Sequence, residues 1–180
     1  MFSEHGGHHC QHRSDDFDAI RGILTPYRPR TVVELGTDEG GFAAFLADLV
    51  RPWGGHVTSF DIAARWAPSL VRIPNLTLVR GDVLVAGGNP DVRRLLVGGV
   101  LLYCDNGNKQ REVELYAAHL PEGAILGVHD YNSEIMAEWV EPFVADLGFT
   151  PLGHDRMEAL RNEWYPEPMT RFWFRWKVAP

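Results

Sequence analysis

The chain has 180 residues, and 17 Lys and Arg against 24 Asp and Glu leave a formal charge of −7. That length suits one domain with a sizeable core, and 45% hydrophobic with 23% charged residues excludes a wholly disordered chain. The acidic balance, with no basic block, argues against a nucleic-acid surface, and no apolar run is long enough to span a bilayer.

The opening residues, MFSEHGGHHCQHR, are polar and lack the apolar stretch of a secretory signal. Cys10 and Cys104 are too few for a disulfide framework and read as reduced thiols of a cytoplasmic protein. Residues 1–13 read as a flexible tail rich in histidine (His5, His8, His9, His12), whose spacing with Cys10 fits no zinc motif. Residues 14–180 read as a single domain.

Ser14 is the expected cap of a first helix, with Asp15 and Asp16 in its first turn, where the helix dipole favours negative charge. Phe17, Ile20 and Leu24 share a face, and Thr25-Pro26 ends the helix. Thr31 to Leu35 reads as a strand. Phe42, Phe45, Leu46 and Leu49 follow the spacing of a buried helical stripe. Further strands are expected at His56 to Phe60 (ending at Asp61), Leu76 to Val79, Val100 to Cys104 and Ala124 to Val128. Val113, Tyr116, Ala117 and Leu120 mark a helix stopped by Pro121. Ile135, Trp139, Phe143 and Leu147 mark a last long helix, which Pro142 should kink or end early. Gly153 to Thr170 reads as irregular, and Arg171 to Val178 as an aromatic final strand. This βαβα rhythm predicts an α/β fold: Rossmann-like and doubly wound, with a mostly parallel seven-stranded sheet and an antiparallel last strand.

The most informative segment is the turn after the first of these sheet strands, Glu34-Leu35-Gly36-Thr37-Asp38-Glu39-Gly40-Gly41. In a doubly wound sheet a nucleotide-like ligand lies there, beyond the carboxyl ends of the strands. Asp38 stands where the dinucleotide fingerprint needs glycine, and no GK[ST] triplet exists for a P-loop. An acidic turn repels a pyrophosphate and suits a cationic ligand without phosphate, such as S-adenosylmethionine. Asp61, about 20 residues on, is placed to accept ribose hydroxyls. Gly81 and Asp82 are placed near the adenine edge.

With those residues in view, the chain resembles the class I S-adenosylmethionine-dependent methyltransferases. ELGTDEGG resembles that superfamily's first motif, VTSFD its second and LVRGD its third. The ELGT form is similar to that of small-molecule O-methyltransferases and of the cephalosporin-hydroxylase-like group. The resemblance implies that Gly36, Thr37 and Gly40 line the methionine part, Asp61 the ribose and Asp82 the adenine side. Glu34, Asp38 and Asp105 complete the expected cofactor set.

Asp105 and Asp130 end neighbouring expected strands, whose spacing of about 4.8 Å lets two tips share a cation. Facing carboxylates repel unless something positive lies between them. Oxygen ligands favour Mg²⁺, and His129 as a nitrogen ligand would shift the preference towards Mn²⁺ or Fe²⁺. The pattern resembles the metal-dependent O-methyltransferases of the catechol and macrolide-sugar kinds, which implies a metal site at Asp105, His129 and Asp130. It also implies that Lys109 acts as a base, with Asp105 and His129 beside it in catalysis. The competing readings are carboxylates that merely decorate strand ends, a solvated Lys109 and a hydrogen-bonded structural His129.

The expected reaction is methyl transfer to a hydroxyl of a small molecule. The alternatives are a catalytically silent nucleoside-binding scaffold and a metal-dependent hydroxylase-like relative. Trp164 and Tyr165 are candidate pocket walls, Trp173 reads as core, and a homodimer partner is an option for completing the pocket. The histidine tail could instead fold over the cofactor and bring a histidine to the site.

Overall fold

A computed structural model of the chain describes residues 3–160 and 169–176. Seven strands form one sheet: β3 (Thr31–Leu35), β4 (His56–Asp61), β5 (Leu76–Arg80), β6 (Val100–Cys104), β7 (Ile125–His129), β8 (Phe149–Leu152) and β9 (Thr170–Arg175). Their order is β5-β4-β3-β6-β7-β9-β8. β3 to β7 pair in parallel, and β9 runs antiparallel to both β7 and β8. This is the α/β Rossmann-like sheet that the sequence predicts, with a single antiparallel strand inserted near one edge.

Alternation along the strands divides the core in two. Val32, Val57, Leu101, Tyr103 and Phe172 face α1 (Ser14–Leu24) and α2 (Gly41–Val50). Val33, Leu35, Leu102, Cys104 and Trp173 face the opposite layer, where α4 (Lys109–Tyr116) and α5 (Ala137–Asp146) contribute Val113, Tyr116, Val140 and Val144. Trp173 is fully buried, as its place in an alternating strand predicts, whereas Trp176 is exposed.

Several expectations are corrected. Residues 3–10 are not a loose tail but a hairpin of β1 (Ser3–His5) and β2 (His8–Cys10). Gly6 and Gly7 both have positive φ (59° and 79°), which a two-residue hairpin turn requires. The hairpin docks on α2, where His5 Nε2 lies 2.9 Å from Asp48 Oδ2. A Cβ on Gly41 would run into the carbonyl groups of His8 and His9. The N-cap of α1 is Arg13 rather than Ser14, with Asp16 reaching back to accept from the Arg13 N–H (3.1 Å). α3 (Pro90–Leu95), capped by Asn89, was not anticipated. Neither was β8, whose Pro151 is tolerated because the strand lies at the sheet edge. The stretch expected to be irregular from Gly153 contains α6 (His154–Glu158). α5 continues past Pro142 to Asp146. The final strand ends at Arg175; Lys177, Val178, Trp164 and Tyr165 lie outside the described residues. No helix among the described residues is long and apolar enough to cross a membrane.

Candidate active site

The chemistry gathers at the carboxyl ends of β3, β4, β6 and β7. Because β6 lies between β3 and β7, Asp105 stands beside both the glycine turn and Asp130. An open cleft of about 200 Å³ runs along these ends, floored by Gly36 and walled by Asp38, Asp61, Asp105, Asp130 and Glu134. Two cations, Arg65 and Lys109, also line it.

Gly36 has φ 101°, and any Cβ there would overlap the Asp105 carbonyl group. Its N–H donates to the Phe60 carbonyl (2.8 Å), tying the turn to the end of β4. Asp38 holds φ 48°, a conformation unusual for a residue with a side chain. Its N–H donates to Asp61 Oδ2 (2.9 Å), while Ala63 N–H donates to Asp61 Oδ1 (2.8 Å). Asp61 is therefore fixed on both oxygens and points into the cleft from the tip of β4. Arg65 pairs with Asp38 across 3.1 Å, and Gln11, just after the hairpin, donates to the other Asp38 oxygen across 3.1 Å.

Glu34, Thr37 and Gly40 support the turn from behind. Glu34 is fully buried and accepts from the Ser59 hydroxyl, which is 2.6 Å from Thr37 Oγ1. Burial holds the Glu34 carboxyl well above the usual range, against the lowering effect of the Ser59 hydrogen bond. Its other oxygen has no partner among the described residues. Gly40, with φ 90°, caps α2. The expected adenine-side pair departs from the cleft: Gly81 bonds back to the Asp61 carbonyl, and exposed Asp82 accepts from Leu84 N–H (2.8 Å).

At the other end of the cleft, the positive charge between the carboxylates is an ammonium. Lys109 Nζ donates to Asp130 Oδ2 (2.7 Å) and Glu134 Oε2 (2.8 Å), and lies 3.7 Å from Asp105 Oδ1. Burial favours the neutral amine, but Asp105, Asp130 and Glu134 outweigh it and raise its pKa. Lys109 is thus a buried cation here, not the free base that the resemblance implies. Asp130 (φ 54°) is held ionised: its burial is opposed by hydrogen bonds from His129 and Lys109.

His129 Nδ1 lies 3.0 Å from Asp105 Oδ1 and 3.4 Å from Asp130 Oδ2. Burial opposes its charge, yet the Asp105 carboxylate and its hydrogen bond push its pKa up to about 10. The expected set of Asp105, His129 and Asp130 therefore does not fit Mg²⁺. One donor is a nitrogen, and one carboxylate is already held by an ammonium.

Residues that sequence reasoning missed are Arg65, Asn106, Gly107, Glu134 and Gln11. Their residue types carry no spacing signal, and only folding brings them to one cleft. The hairpin delivers His12, which is 1% exposed. Its ring stacks on Phe42 (centroids 3.7 Å apart) and on His129 (4.1 Å). Its Nε2 lies 2.8 Å from the Tyr103 hydroxyl and 3.8 Å from Asp105 Oδ2. The GG pair between two three-residue arms was the available sequence signal for this hairpin.

No family model matches the chain, and no curated protein matches it in sequence. Solved structures do resemble it. CmcI with SAH is 19% identical, covering 94% of this chain and 81% of that one at a TM-score of 0.63. CmcI with Mg-SAM is also 19% identical, covering 94% and 76% at 0.62. A Staphylococcus aureus protein provisionally described as a caffeoyl-CoA O-methyltransferase is 12% identical, covering 91% and 84% at 0.60. Likeness at this identity establishes the fold alone and leaves the function to the chemistry of the cleft. The chain shares the Rossmann-like α/β fold of those structures.

Proposed function

We propose that the chain transfers the methyl group of S-adenosylmethionine to a hydroxyl of a small molecule. The observation that carries this reading is the acidic cleft that starts at a bare Gly36 backbone and runs past a doubly anchored Asp61. The cleft presents carboxylates where a phosphate-bearing nucleotide would be repelled and a cation favoured. S-adenosylmethionine supplies, when bound, an electrophilic methyl on a sulfonium.

The chain's own residues then do the following. Gly36 lets the ligand approach the backbone, and Asp61, rigid because two N–H groups hold it, accepts from sugar hydroxyls. Asp105 accepts the proton of the acceptor hydroxyl, oriented by the Nδ1–H of His129. The Lys109 ammonium, 3.7 Å from Asp105, stabilises negative charge developing on the acceptor oxygen. In-line positioning accounts for much of the remaining rate. Divalent-metal assistance belongs to this reading only with a donor set other than the expected one, and no step above depends on it.

Calorimetric titration of the chain with S-adenosylmethionine tests the reading. Heat of binding is expected, and Asp61→Ala should weaken it. No heat at millimolar ligand would remove the cofactor and the function with it. Binding without turnover on any hydroxylated acceptor would leave the nucleoside-binding scaffold in its place.

A further inference from the structure

We infer that a cavity at the opposite end of the sheet from the cleft binds a small aromatic carboxylate, held by Arg21, Arg28 and Trp53. The inference concerns this second site alone and does not depend on methyl transfer. The cavity measures about 400 Å³ against about 200 Å³ for the cleft, within the range of small-molecule sites. Arg21, Thr25 and Arg28 line it from the last turn of α1 and the segment that follows. Leu49, Pro52 and Trp53 line it from the end of α2 and the 3₁₀ turn after it. These segments lead into the first residues of β3 and β4, whereas the cleft lies beyond the last residues of the strands.

The lining combines two chemistries. Leu49, Pro52 and the partly buried Trp53 make an apolar wall, with Leu49 only 1% exposed. The Trp53 ring N–H donates to the Pro29 carbonyl (2.9 Å), which fixes the indole and ties it to the segment that carries Arg28. Arg21 and Arg28 bring two guanidinium groups, and neither forms an ion pair among the described residues. Asp48, next to Leu49 on α2, is already engaged by Arg51 and His5. The Arg21 guanidinium lies 5.5 Å from the centre of the Phe45 ring, a contact that steadies the cation without neutralising it. A guanidinium fork matches a carboxylate through two bonds, and an indole face suits an aromatic ring. Together they select an anion carried on a flat apolar body.

The backbone is strained where it presents Arg28. The N–H groups of Tyr27 and Arg28 both donate to the Leu24 carbonyl (3.1 Å each), and this turn leaves Arg28 at φ 48°. Glycine takes that conformation freely, and the Pro29 that follows restricts Arg28 further. Three other residues with side chains are left-handed among the described residues: Asp38 and Asp130 line the cleft, and Asn132 lies two residues beyond Asp130. Such strain gathers where a particular side chain is needed for binding. Arg28 is the instance away from the cleft, and it lines the second cavity.

The test uses the full chain and 2-naphthoate as probe, with the neutral alcohol 2-naphthalenemethanol as control. Calorimetry should find one 2-naphthoate site per chain. The alcohol should bind at least ~10-fold more weakly, the loss that follows when a charge-assisted hydrogen bond is removed. In the wild-type NMR spectrum, the tryptophan ring N–H that 2-naphthoate shifts most should be that of Trp53. Arg28→Asn tolerates a left-handed backbone, so it should melt no lower than the wild type while weakening 2-naphthoate by at least ~10-fold. Arg21→Gln should weaken the probe in the same way. No binding at millimolar probe, equal affinity for the alcohol, or unchanged affinity in either arginine variant would each overturn the inference. Largest shifts at residues that line the cleft would overturn it as well. S-adenosylmethionine titration is read separately, so either result can stand without the other.

Discussion

Lys109 Nζ lies 2.7 Å from Asp130 Oδ2, so the cation that balances the paired strand-end carboxylates is part of the chain. Asp105, Asp130 and Glu134 all depend on it. Lys109→Met keeps the stem and removes the charge. A fully buried pair broken on one side costs about 3–5 kcal/mol. Glu134 is half exposed and Asp130 touches solvent, so screening brings the expected loss to about 1–3 kcal/mol. Urea denaturation measures it. Unchanged stability with lost activity would instead favour Lys109 as a base free of structural duty.

The buried carboxyl of Glu34 predicts a pH dependence. Its folded pKa is raised well above its ordinary value of 4.5, so the folded chain keeps a proton that the unfolded chain releases. Stability contributed by Glu34 is present below about pH 4.5 and is lost as pH rises toward the folded value, at up to ~1.4 kcal/mol per pH unit. Glu34→Gln retains an acceptor for the Ser59 hydroxyl and cannot ionise. The variant should therefore gain on the wild type progressively as pH rises above about 5. Glu112, also raised by burial, is common to both chains and leaves a shared background slope. Parallel stability curves would show that Glu34 is charged in the fold.

The sheet was legible because its central strands are apolar runs ended by Gly36, Asp61, Asp105 and Asp130, and strand ends are where an α/β sheet puts its ligands. β8 was not, since Phe149-Thr150-Pro151-Leu152 is short, holds a proline and gains its identity only from pairing with β9. Asp61 could be placed by its distance along the chain from the glycine turn. Lys109 could be placed near Asp105, but not against its other two carboxylate partners, Asp130 and, beyond β7, Glu134. His12 lay in a segment that read as a flexible tail, with folding over the cofactor as the alternative. What buries it is the aromatic surface of Phe42 and Tyr103, a tertiary property that no local pattern encodes.

Gly36→Ala should separate binding from folding. The methyl group would meet the Asp105 carbonyl, and φ 101° is itself unfavourable for alanine. Strain of about 1–3 kcal/mol is expected, relieved by shifting the turn away from β6. The chain should still fold, with a lowered thermal midpoint, while S-adenosylmethionine affinity falls more than stability does. A variant that binds the nucleoside as the wild type does would place the ligand off this backbone.

The two thiols report how firmly the hairpin is attached. Cys10 is 3% exposed, and burial is the main reason its pKa is pushed up to about 12. Cys104 is fully buried within β6 and is raised for the same cause. Neither should react with a thiol reagent at neutral pH unless its surroundings open. The hairpin has three-residue arms, so it should open locally at a lower free energy than the central sheet. Cys10 is therefore expected to label well before Cys104 in native buffer. Gln11, beside it, lines the cleft and bonds to Asp38, so a ligand filling the cleft should slow Cys10 without affecting Cys104. Mass spectrometry of quenched samples resolves the two sites. Equal labelling rates would mean that the hairpin unfolds only with the whole domain, and residues 3–12 would then belong to the cooperative core.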